Sequence, residues 1–185
     1  MSRHPGKRLS PWRVLIAVAV VALIVVLVIR GNRNRTTALA DAQADARAAV
    51  RPLATLLAGH DAAVVVPDWN SHASDGGRAD LLGSLEFVEE RANDGIVLVG
   101  WSMGGAAAAG VTLDPARQDV PLVHTVCLAG AFMIPDPISG RLAAEQLSAE
   151  RTGSPFTLLH GSADDRVPVT ASRDFAAALE KAGYP

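Results

Sequence analysis

Residues 97–110 read VLVGWSMGGAAAAG, and this stretch constrains the fold more than any other. A short apolar run rich in valine reads as a buried strand. It meets Gly100-Trp101-Ser102-Met103-Gly104, a Gly-x-Ser-x-Gly pattern, and then a string of the smallest side chains. Glycines on both sides of a serine permit a strand-to-helix turn too tight for a Cβ at the flanking positions. Alanines and glycines beyond it let the following helix press close against a sheet. The turn lifts the Ser102 hydroxyl to the start of a helix, whose dipole favours negative charge. That placement suits a nucleophile.

The rest of the chain must supply a sheet for this turn to top. At 185 residues it holds one domain with a sizeable core and not two large ones. Short apolar runs at 62–66, 96–99, 122–128 and 156–159 read as buried strands. Helical patterns fall between and after them: 38–58, interrupted near Pro52; 79–92; from about 103; and 169–182, stopped by Gly183. Strands alternating with helices predict a parallel sheet covered on both faces. Cys127 is the single cysteine, which excludes an internal disulfide, and its apolar neighbours mark it as a buried thiol.

Charge is distributed unevenly. Seven of the 17 basic residues and none of the 19 acidic ones lie in residues 1–35, so residues 36–185 carry a net charge of −9. An acidic body without a basic stripe argues against nucleic-acid binding. Residues 14–29 are 16 uninterrupted apolar residues, about 24 Å long as a helix against a hydrocarbon core of ~30 Å. Trp12 suits the interface, and Arg13 and Arg30 can extend their charges out of the lipid. The expectation is a basic tail (1–13), a single transmembrane helix (14–29), a polar linker (30–37) and an α/β domain (38–185) at the cell membrane. A cleaved signal peptide, ending at Ala38-Leu39-Ala40, is the competing reading.

A second signal is LLHGSADDRVPV at 158–169, where a strand runs into His160-Gly161 and an acidic pair. This loop leaves the carboxyl edge of the sheet, the edge that presents Ser102 and where parallel α/β sheets place their sites. Together with GWSMGG and the preceding AVVVPDW (63–69), it resembles the α/β-hydrolase superfamily, in particular its dienelactone-hydrolase-like and esterase-like members. His160, Gly161, Asp164, Val167 and Pro168 match the family's acid-bearing segment. The resemblance implies that Ser102 is the nucleophile and Asp164 the acid that orients a histidine, with Asp165 a less suitable neighbour. It also implies that the backbone amide of Met103 is one oxyanion donor.

Two family parts have no counterpart. The strand and His-Gly turn that donate a second oxyanion amide are missing, and no histidine follows Asp164, although the family order is Ser, Asp, His. The domain is therefore expected to be incomplete at both ends. His72 and His160 fall near strand ends and are the histidines that could substitute. The expected function is a membrane-anchored serine hydrolase acting on a small-molecule ester-like substrate. The alternative is a catalytically inactive truncated hydrolase or a membrane-tethered binding module. No spacing of ligands suits a metal and no cofactor is implied. The segment 134–154, 21 residues between the third and fourth strands, leaves little room for a lid and favours small or soluble esters.

Overall fold

The computed structural model describes residues 24–30, 44–60, 62–92, 95–149 and 153–185, with backbone alone for 24–30 and 44–49. Five strands form one sheet in the order β2-β1-β3-β4-β5: β1 (Ile24–Arg30), β2 (Ala62–Val65), β3 (Ile96–Trp101), β4 (Leu122–Leu128) and β5 (Phe156–Leu159). The helices are α1 (Ala44–Ala58), α2 (Arg78–Glu89), α3 (Met103–Leu113) and α4 (Val169–Ala182). The pairs β3–β4 and β4–β5 are parallel, whereas β1 runs antiparallel to both β2 and β3. Strands β2 to β5 therefore share one carboxyl edge, and β1 enters the sheet there.

The α/β layering follows from the side chains. On one face α2 buries Leu81, Leu82, Leu85 and Val88 against Ile96 and Leu98, together with Ala107, Ala108 and Val111 of α3. Beside them Phe175 of α4 stacks on Phe132 at 4.2 Å and meets Phe156 edge-on at 5.7 Å. Such aromatic pairs each add about 1 kcal/mol beyond their burial. On the other face Val50 and Ala54 of α1 pack on Val64, Val66 and Val99. Among the described residues no helix covers that face over β5, where Leu159 is left 54% exposed.

Two expectations need correction. The helix expected to break near Pro52 is continuous over Ala44–Ala58, with Pro52 exposed on its outer side. More consequential, the last six residues of the expected transmembrane helix, 24–29, are strand. Four of the residues in β1 pair with β2 and six pair with β3, so the sheet is mixed and has five strands rather than four. An uncharged Ile/Val-rich run fits a membrane helix and a strand buried on both faces equally well. No helix among the described residues is long and apolar enough to cross a membrane. Residues 1–23, with the rest of the expected span, and most of the linker lie outside the described residues.

Candidate active site

The turn after β3 is built as its glycines require. A Cβ on Gly100 would lie 2.0 Å from the Gly104 carbonyl oxygen, and one on Gly105 would lie 2.7 Å from Gly130 Cα. Neither position tolerates a side chain, so the start of α3 sits directly on the sheet. Ser102 precedes the first residue of α3 with φ 56° and ψ −120°, a conformation that costs a non-glycine residue roughly 1–3 kcal/mol. The end of β4 holds it there. The Ser102 N–H donates to Leu128 O at 2.9 Å, and its carbonyl accepts from Ala131 N–H at 2.9 Å. Between those two contacts Ala129 also has a positive φ, 47°.

The Ser102 side chain is partly exposed and makes no hydrogen bond within the helix cap. Met103 follows as the first helical residue. The first-turn amides of a helix have no acceptor within it, so the Met103 N–H is available beside the hydroxyl.

Asp164 stands in the loop after β5. Its Oδ1 accepts the N–H groups of Val167 and Arg166, each at 2.9 Å. These two amides hold the carboxyl below the ordinary aspartate range, with smaller help from His160 and Arg166. Ser102 and Asp164 leave the same edge of the sheet, from strands separated only by β4, a lateral offset of about 10 Å. Asp165 is almost fully exposed and lies 3.7 Å from Arg166 Nε.

The histidines do not fill the gap. The His160 ring is only 4% exposed and both its nitrogens are engaged: Nε2 lies 2.9 Å from Val167 O, and Nδ1 lies 2.7 Å from Ser172 Oγ. A carbonyl can only accept, so Nε2 carries a proton and points into the acid loop rather than toward Ser102. Asp164 Oδ2 is 3.8 Å from the same nitrogen, beyond hydrogen-bond length. His124 bridges β4 and β5 through Thr157 Oγ1 at 2.8 Å. His72 is exposed after β2, two strands from β3, with its backbone N–H on Asn70 Oδ1. His60 precedes β2 at the opposite edge. The structure thus brings Ser102, Met103 and Asp164 to one edge, while the rings of His160 and His124 are bonded to other partners.

The site also rests on residues that the motifs do not contain. Asp136 is 1% exposed. Its Oδ1 accepts the amides of Ile138 and Ser139, and its Oδ2 accepts from Ser139 Oγ and Gln146 Nε2. It thereby fixes the segment after β4 against α3. An aspartate flanked by prolines carries no sequence signal of burial; Gly110 opposite it is the one hint. Cys127 is buried in β4 near the Gly105 carbonyl, and burial pushes its thiol up to about 12. A cavity of about 440 Å³ lined by Thr112, Asp114, Arg117, Ser154 and others lies at the amino edge of the sheet, remote from Ser102. Among the described residues no three His, Cys, Asp or Glu side chains are grouped to hold a metal ion.

Comparison with known proteins agrees with this fold. The sequence model of the Alpha/beta hydrolase family matches residues 25–184. No curated relative matches the sequence. Among solved structures the chain is similar to esterase 2 of Thermogutta terrifontis, with 17% identity and a TM-score of 0.62 over 88% of this chain and 74% of that one. It is also similar to a lipase/esterase of Lactobacillus plantarum, with 16% identity and a TM-score of 0.55 over 71% and 67%. A third is the α/β hydrolase MGS-M1 from a Medee basin deep-sea metagenome, with 20% identity and a TM-score of 0.53 over 72% and 57%. The chain thus spans about three-fifths to three-quarters of the length of these proteins.

Proposed function

The chain belongs to the alpha/beta hydrolase family, and from that premise we propose that it is a serine hydrolase of ester-like bonds, attached to a membrane through the residues ahead of β1. The observation that carries the reading is the conformation of Ser102. A strained serine held by backbone bonds from the neighbouring strand, at the head of a helix, is an arrangement that structural stability alone does not call for. Its neighbours of known structure are named esterases and hydrolases, which supports the substrate class.

In this reading Ser102 Oγ attacks the ester carbonyl carbon. The hydroxyl proton passes to a base, and the carbonyl oxygen gains negative charge beside the Met103 N–H and the α3 dipole. The tetrahedral species collapses by expelling the alcohol, which takes up a proton from the protonated base. Water, activated by the same base, then releases the acid and restores the serine. Asp164, kept ionised by two amides, is the group that would orient and stabilise that base when protonated. Mass spectrometry after reaction with a fluorophosphonate tests the nucleophile: a single adduct on Ser102, absent in Ser102→Ala, is expected. Labelling elsewhere, with Ser102 unmodified, overturns the assignment.

A second reading has its own observation. Both ring nitrogens of His160 are committed to Val167 and Ser172, and the ring of His124 is bonded to Thr157. The same edge would then bind ester-like ligands without turning them over. Unchanged ester in the presence of a measurable dissociation constant favours that reading.

A further inference from the structure

Val167 ties the acid loop together through its backbone and its side chain. Its N–H donates to Asp164 Oδ1 at 2.9 Å. Its carbonyl accepts from His160 Nε2 at 2.9 Å. Its side chain is buried in a cluster with Ala131 and Ala171, and the Ala131 N–H holds the Ser102 carbonyl. One residue thus joins the segment that carries Asp164 to the segment that anchors Ser102.

His160 closes this arrangement from the other side. A carbonyl cannot donate, so Nε2 bears a proton. In the neutral ring Nδ1 is then bare, and it accepts from the hydroxyl of Ser172, 2.7 Å away and buried as the fourth residue of α4. The two bonds fix both the tautomer and the rotation of the ring. They also decide where the Nε2 proton goes. Asp164 Oδ2 lies 3.8 Å from that nitrogen, out of hydrogen-bond range, and the Val167 carbonyl takes the proton instead. Oδ1 carries the amides of Val167 and Arg166, while Oδ2 accepts no hydrogen bond among the described residues.

We propose that His160 and Ser172 are positioning residues for Asp164. Ser172 orients the ring, and the ring clamps the Val167 carbonyl. The clamp keeps Oδ1 on its amides and leaves Oδ2 to receive the N–H of a base. This inference rests on the serine-hydrolase reading, since an acid needs positioning only if it serves a base. It gives a use to a buried histidine that stands ahead of the acid rather than after it. Because the acid acts on the rate only through a base, the readouts are taken on the loop itself.

Two substitutions of matched cost in the full chain test it. Glutamine carries its amide group where Nε2 sits, asparagine where Nδ1 sits, and neither is charged. His160→Gln therefore keeps a donor to the Val167 carbonyl and gives up Ser172. His160→Asn keeps Ser172 and leaves the carbonyl bare. Each loses one buried hydrogen bond, so a merely structural role predicts the same result for both. Under the proposal the Val167 amide should exchange with solvent ~10-fold faster in His160→Asn than in His160→Gln. The Asp164 midpoint, followed by its carboxyl carbon shift against pH, should lie higher in His160→Asn, because amide bonds favour the ionised form. In the parent, ring nitrogen shifts in mildly alkaline solution should show Nε2 protonated and Nδ1 bare. Equal exchange and equal midpoints in the two variants, or a parent ring protonated at Nδ1 alone, overturn the proposal. If the variants separate as expected yet the fluorophosphonate leaves Ser102 of the parent unmodified, it is the hydrolase reading that falls, and the positioning role with it.

Discussion

Gly110 of α3 faces Asp136 so closely that a Cβ on Gly110 would lie 2.1 Å from Asp136 Oδ1. Replacing a helical glycine by alanine ordinarily adds about 1 kcal/mol of stability. Here the sign reverses. The methyl group would displace a carboxylate that satisfies two amides, a hydroxyl and a side-chain amide. Gly110→Ala should therefore destabilise by about 1–3 kcal/mol, in the range of overpacked cores. The urea midpoint decides it, and a variant at least as stable as the parent would show that the Asp136 anchor yields freely.

Residues 1–23 and β1 should behave as separable parts. Deleting 1–23 removes the basic tail and the apolar residues ahead of β1, and the remainder should fold without pelleting with membranes. Deleting 1–35 also removes β1 and opens both β2 and β3 to solvent as unpaired edges. That product should aggregate or lose its cooperative transition. Circular dichroism and sedimentation of the two deletions separate the cases. A well-folded chain lacking 1–35 would mean that β1 contributes little to the sheet.

Acid should reach Asp164 late. Its carboxyl is held below the ordinary value of 3.8 by the amides of Val167 and Arg166. A group whose folded value is depressed stabilises the fold above its unfolded value, and that contribution is lost as pH falls through the folded value. The loop should thus stay ordered through pH 4 and loosen only below 3.8. Asp75, whose carboxylate accepts from the amides of Ala79 and Gly77, follows the same rule at the start of α2. Amide shifts of Arg166 and Val167 against pH measure it, and a midpoint at or above 3.8 contradicts the assignment.

What the sequence revealed depended on whether the signal was local. The turn at Ser102 could be read because its strand, glycines and helix are contiguous, and steric need dictates each residue type. The same holds for the Asp164 loop, whose amide partners lie two and three residues away. β1 was misread because a run of uncharged Ile and Val satisfies lipid and a sheet interior alike, and only its pairing with β2 and β3 decides between them. The role of His160 was equally hidden. Its place near the carboxyl edge is evident from the strand before it, but Val167 meets its ring only when the acid loop turns back, and Ser172 only when α4 packs beside that loop. Asp136 escaped notice for the same reason, since its partner Gly110 lies 26 residues earlier in the chain.

The final prediction concerns turnover and the base that Ser102 would need. Ser102 and Asp164 leave the same edge of the sheet on either side of β4, and the ring of His160, the described histidine nearest Asp164 in sequence, is committed to Val167 and Ser172. His160 cannot move in without giving up two hydrogen bonds and leaving Val167 O and Ser172 Oγ buried beside an empty site, a loss of about 1–3 kcal/mol for each unsatisfied group. The chain should hydrolyse p-nitrophenyl acetate slowly, with the small enhancement that binding and oxyanion contacts retain when a triad member is absent. A single oxyanion amide from Met103 lowers it further, since one donor is commonly worth ~10²–10³ in rate. His160→Ala should lower stability and leave the residual rate unchanged; His72→Ala should alter neither. Among the described residues no strand pairs with the outer side of β5, which offers the route to a gain. Phe156 N–H already donates to Pro185 O at 3.2 Å, so residues appended after Pro185 start in line to extend along β5. A strand and a histidine loop from an esterase of known structure, appended there, would reach the edge that carries Ser102 and Asp164. General acid–base catalysis typically contributes 10²–10⁴-fold, and the fusion should recover about that much, all of it lost again in Ser102→Ala. Rapid turnover by the unextended chain that Ser102→Ala abolishes would mean that a base is already present. Its loss in His72→Ala or His160→Ala would then identify that base.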